Sequence, residues 1–136
     1  MLNSNLAFQA PTVPQQEGSP GIAEIVIPDQ SNLVMILPML AYLSQQNQNR
    51  WFTWFPPLGI SKNMLAHFGF NLNNVRVVYA RTETDYFSLL VKALSCGSSD
   101  TVVASVDHLS SPQFNLLEAA AKQGSCQGIL VKNRKA

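Results

Sequence analysis

From Gly21 onward the apolar residues recur in two alternating rhythms, and each change of rhythm marks a new element. IAEIVIP reads as a strand that Pro28 closes. Asp29 or Ser31 can cap a helix running to about Gln48, with Leu33, Ile36, Leu37, Leu40 and Leu43 at helical spacing. Pro38 lacks an amide proton inside that helix, so a kink or a late start is expected there. RWFTWF is a second strand, apolar on both parities, with Trp51 and Phe55 on one face and Phe52 and Trp54 on the other. Such a strand belongs in the middle of a covered sheet, which puts Trp51, Phe52 and Trp54 in the core. Ser61 then caps a short helix, SKNMLAHF, stopped by Gly69.

NVRVVYA is a third strand. Thr82 and Asp85, three residues apart, resemble a capping box opening a helix through Tyr86, Leu89, Leu90, Ala93 and Leu94 to Gly97. TVVASVD is a fourth strand. The last helix takes Ser111 as its cap and Pro112 in its first turn, ends before Gly124, and is followed by a fifth strand, QGILVK. Strands alternating with helices over the whole regular region predict an α/β fold: a parallel, doubly wound sheet with helices on both faces. The expected boundaries are a disordered tail over 1–21, one α/β domain over 22–133 and a short tail over 134–136.

Composition narrows the partners. At 136 residues one domain is expected, and charged residues make up only 12% against 46% hydrophobic, a surface poorly protected against self-association. The net charge is +1 and the one basic cluster is terminal, Lys132, Arg134 and Lys135, so nucleic acid is an unfavoured partner. The longest apolar stretch, Leu33 to Leu43, is about half of a membrane span. Without a secretory signal the chain reads as cytoplasmic, with Cys96 and Cys126 reduced and partly buried.

In a doubly wound sheet ligands bind beyond the carboxyl ends of the strands. A nucleotide site would need glycines and a lysine after the first strand, and the chain has PDQSNLV there, so no functional P-loop and no cofactor are expected. Asp107, His108 and Ser110 after the fourth strand suggest hydrolytic chemistry. Adjacent strand residues point to opposite faces, however, so Asp107 and His108 are not expected to act on one atom. Phe55, Pro56, Pro57 and Leu58 differ from the core aromatics: a rigid apolar turn at the ligand-binding edge, flanked by Arg50 and Lys62, has the composition of a protein contact.

The segments LVMILPMLAYLSQQNQNRWFTWFPP, HFGFNLNNVRVV, LLVKALSCGSSDTVVASV and LLEAAAKQGSCQGILVKN together resemble the SulA family of SOS-induced cell division inhibitors, from about Gly21 to Asn133. The resemblance implies a RecA-like sheet without its nucleotide site, a homodimer, and no enzymatic activity. It also implies binding to the tubulin-like GTPase FtsZ, blocking polymerisation and GTP hydrolysis and halting septum formation after DNA damage. The family's inhibitory positions fall on Arg50, Phe55, Met64, where some members carry tryptophan, and Asn74, where a lysine is usual. Lys62 or Arg76 could supply that charge. Family members are turned over by the Lon protease through C-terminal tails; the tail here is KNRKA. The alternative is a degenerate RecA-like enzyme or regulator using Asp107 and His108.

Overall fold

The computed structural model describes residues 20–46, 49–57 and 60–134. Five strands, β1 (Gly21–Ile27), β2 (Trp51–Phe55), β3 (Val75–Val77), β4 (Ser99–Val106) and β5 (Gln127–Asn133), pair only in parallel, in the order β1-β5-β4-β2-β3. A 3-10 turn (Gln30–Met35) and helices α1 (Leu37–Gln46), α2 (Lys62–His67), α3 (Glu83–Ser95) and α4 (Ser111–Gln123) make the crossovers. The chain steps one way along the sheet from β1 to β3 and returns from β3 to β5. Right-handed crossovers therefore force α1 and α2 onto one face and α3 and α4 onto the other.

The core follows that division. Leu33, Leu37, Leu40, Leu65 and Phe70 cover Phe52, Trp54 and Val103 on one face. On the other, Leu90, Leu94, Leu117 and Ala121 cover Phe55, Val102 and Leu130. The domain opens at Gly21, the last residue assigned to the N-terminal tail, because Gly21 pairs with Gln127 as the first rung of β1. Residues 1–19 and 135–136 of the expected tails lie outside the described residues, and the Arg134 amide donates to Ile27 O at 2.8 Å.

Local chemistry explains most of the boundaries. Pro38 falls in the first turn of α1, where its missing amide proton breaks no bond, so a late start after the 3-10 turn replaces a kink. Neither expected residue caps that entry; Asp29 makes no side-chain cap, and Ser31 Oγ donates to Asp29 Oδ2 at 3.4 Å. Ser61 accepts from Met64 N and Thr82 from Asp85 N, as the spacings predict. For α4 the cap is Ser110, not Ser111, because Gln113 reaches back to the Ser110 amide while Ser110 Oγ accepts from Gln113 N.

Two core expectations are corrected. Trp51 is exposed: the β2–β4 register shifts between Trp51 and Phe52, and the ring lies beneath the Arg76 guanidinium, 5.4 Å from its centroid. Cys126 is buried, but Cys96 is exposed in the turn after α3. α3 approaches the turn after α4 closely: a Cβ on Gly124 would lie 2.0 Å from Leu94 O. Gly124→Ala is expected to cost about 2 kcal/mol through overpacking against that backbone, read as a lower urea midpoint at unchanged slope.

Candidate partner-binding edge

The link after β1 runs Pro28-Asp29 into the 3-10 turn. Functional geometry gathers instead around β2. Its neighbours β3 and β4 send their chains to the α3/α4 face, whereas β2 sends its own to the α2 face, so a crevice opens over the carboxyl end of β2. The crevice measures about 650 Å³ and is lined by Arg81, Glu83, Tyr86, Asp107, His108 and Gln113, among others. The Tyr86 hydroxyl forms part of its floor, donating to Ser105 O at 2.7 Å and lying 3.4 Å from Phe55 O, and its ring packs on Phe55. Burial pushes Tyr86 up to about 12, with the Asp107 carboxylate adding to the shift.

Asp107 and His108 line the same crevice, contrary to the expectation from strand alternation. β4 ends at Val106, so the alternation has stopped before either residue. The Ser110 hydroxyl is committed to the α4 cap. Among the described residues no cluster of three or more His, Cys, Asp or Glu is placed to hold a metal, and no helix is long and apolar enough to cross a membrane.

The residues expected to form one binding surface separate into two edges. Arg50 sits at the amino edge, just before β2, where its Nε donates to Asp100 Oδ1. Nη1 donates to Gly97 O at 3.2 Å and to Gly124 O at 3.0 Å, and Nη2 to Ser125 O at 2.8 Å. One guanidinium thus ties the turn after α3, the start of β4 and the turn after α4. Asn74 is on the same edge: its carbonyl accepts from Phe52 N at 2.8 Å and its Nδ2 donates to Ser44 O at 3.3 Å, joining β3 to the end of α1. Strand rise puts Arg50 and Phe55 about 16 Å apart.

At the carboxyl edge Phe55 is 1% exposed, held between β4 and Tyr86 beneath the crevice, so it supports the edge without presenting a surface. Pro57 is half-buried, Lys62 is exposed, and Met64 is half-buried against the α1/α2 core. Leu58 lies outside the described residues. Tyr79, which sequence reasoning passed over, is exposed beside them and donates to Ile60 O at 3.4 Å. Its aromatic ring one strand away, just past β3, was the available signal. At the amino edge Cys96 Sγ and Ser98 Oγ lie 3.0 Å apart, and that hydrogen bond, helped by the Arg76 charge, holds the thiol below its usual range.

A family model described as cell division inhibitor SulA matches residues 21–128. The curated cell division inhibitor SulA of Pseudomonas aeruginosa is 29% identical over 101 residues, which cover 74% of this chain and 63% of the relative. That of Cronobacter sakazakii is 29% identical over 101 residues, covering 73% and 59%. The chain thus spans less than two thirds of the length of these relatives. The crystal structure of SulA from Pseudomonas aeruginosa superposes with a TM-score of 0.77 at 26% identity, covering 82% of this chain and 97% of that one.

Two outcomes follow from the edge chemistry. Arg50→Ala is expected to cost about 2 kcal/mol of stability and Arg50→Lys nearly as much, since an ammonium cannot span the acceptors that the guanidinium fork reaches; thermal unfolding checks both. Burial raises Tyr86 and Cys126 each to about 12, from 10.0 and 9.0. The stability that the protonated forms contribute is complete below those lower values and is lost as pH rises through the higher ones. Urea midpoints should therefore fall between about pH 9 and pH 12, and Tyr86→Phe should remove the tyrosine's share of the fall above pH 10 while the share of Cys126 remains.

Proposed function

Because the chain belongs to the SulA family of cell division inhibitors, we propose that it binds FtsZ subunits, blocks their polymerisation and GTP hydrolysis, and halts septum formation during the SOS response. The observation that carries this reading is the family match, which spans the whole sheet up to the start of β5. Hydrolysis falls with polymer because the FtsZ active site is completed only between two subunits. The protein acts as a binding partner and not as an enzyme.

The contact is made by the carboxyl edge after β2: Pro57 and Lys62, with Leu58 assigned from the sequence, Tyr79 alongside and Met64 on the flank. The exposed Tyr79 ring and the half-buried Pro57 and Met64 beside the Lys62 cation support that assignment, since such groups anchor protein interfaces. Arg50, Phe55 and Asn74 contribute by holding the edges in shape. Inhibition by sequestration works by mass action. At a micromolar Kd, about 8 kcal/mol, near-equal copies of inhibitor and FtsZ are required, which suits a protein made only on strong induction and removed afterwards by Lon.

The crevice favours one second reading, a degenerate RecA-like enzyme or regulator using Asp107 and His108, because both side chains line one cavity. It demands nucleotide or ester turnover by the isolated protein.

Titrating FtsZ with the purified chain should lower GTP hydrolysis and sedimentable polymer together, reaching completion near equimolar addition. Lys62→Glu and Tyr79→Ala should weaken inhibition about tenfold at unchanged melting temperature, whereas Arg50→Ala should weaken it only in step with lost stability. No effect at several-fold excess of folded protein overturns the reading; wild-type inhibition by both edge variants overturns the edge.

A further inference from the structure

The crevice over the carboxyl end of β2 measures about 650 Å³, inside the span of roughly 300 to 1000 Å³ that takes small ligands. None of Pro57, Lys62, Met64 and Tyr79 lines it, so the proposed FtsZ contact leaves it unused. Its lining divides into three kinds of group. Phe87, Leu90, Val106 and Leu109 make an apolar part. The neutral polar groups are already committed: the Tyr86 hydroxyl donates to Ser105 O, Thr82 Oγ1 accepts from Asp85 N, and Gln113 Oε1 accepts from the Ser110 amide. The charged groups Arg81, Glu83 and Asp107 are not. The ion pairs among the described residues are Arg50 with Asp100 and Lys132 with Glu24, so the three charges around the crevice do not pair with one another. Asp107 is aimed inward, since its carboxylate is near enough to the Tyr86 hydroxyl at the floor to disfavour ionisation there.

We infer that this crevice binds a zwitterionic peptide of two or three residues with apolar side chains. Arg81 takes the carboxylate, Asp107 takes the ammonium, and the apolar part of the lining takes the side chains. A guanidinium and a carboxylate that share a cavity without meeting leave the space between them for a ligand that carries both charges. The charge count selects the same class. Two carboxylates against one guanidinium repel a ligand whose only charge is negative, and a purely cationic ligand would cover Arg81 without giving it a counter-charge. Size excludes a single amino acid, whose one side chain would cover only part of the apolar lining. The end of a longer chain carries only one of the two charges, which leaves the free short peptide. The inference rests neither on FtsZ binding nor on turnover by Asp107 and His108, because it requires only that the peptide is held.

Titration of the full chain with phenylalanyl-leucine, followed by amide proton–nitrogen correlation spectra, is expected to give a Kd on the order of 0.1 mM. The shifts should concentrate at residues 80–90 and 105–113, which carry the lining. N-acetyl-phenylalanyl-leucine, which lacks the ammonium, and phenylalanyl-leucine amide, which lacks the carboxylate, should each bind at least about tenfold more weakly. Arg81→Gln should bring the dipeptide down to the level of its amide while leaving the amide's own affinity unchanged. Asp107→Asn should do the same with the acetylated form. Both variants should melt with the wild type, since neither side chain is tied into an ion pair.

Absence of saturable shifts up to about 10 mM dipeptide overturns the inference. So does equal affinity for all three compounds, which is the behaviour of an apolar cleft indifferent to charge. An amide that binds as well as the dipeptide would assign the crevice to a cationic ligand, and an acetylated form that does so would assign it to an anionic one; either result overturns the zwitterion. Because FtsZ is absent from these titrations, their failure would leave the FtsZ reading standing.

Discussion

A parallel sheet has to be covered on both faces, and in this chain that constraint falls hardest on β2. Phe52 and Trp54 point to one side, Thr53 and Phe55 to the other, and all four are buried. The crossovers that cover them must be right-handed, so the chain has to travel outward to β3 with helices on one side and back to β5 with helices on the other. That reversal is also what parts the loops over β2 and opens the crevice. Thr53 is the polar exception in this layer. Its hydroxyl lies 2.6 Å from Ser99 Oγ, and Arg76 Nη2 reaches both hydroxyls, so the polar group is buried with partners.

Much of this was legible in the residues. Periodicity located the five strands and the helices between them, because each strand is apolar enough to be buried and most helices open on a Ser or Thr cap. The α1 boundary was legible through Pro38. What escaped were choices between chemically equivalent neighbours and contacts between distant ones. Ser110 and Ser111 have the same capping chemistry, and only the reach of Gln113 back to Ser110 decides between them. Phe55 ends its strand as an exposed anchor would, but Tyr86, far along the chain, closes over it. Trp51 fits the alternation of a core strand, and a register shift set by β4 leaves it outside.

The candidate site shows the same limit more sharply. Arg50 stands next to the aromatic strand and invites assignment to the same surface as Phe55. Its acceptors at Gly97, Asp100, Gly124 and Ser125 come from turns that no local pattern links to it. The two ends of one short strand therefore serve different purposes. The amino edge is tied down by a guanidinium and by Asn74, while the carboxyl edge carries the loops that are free to vary in shape and chemistry.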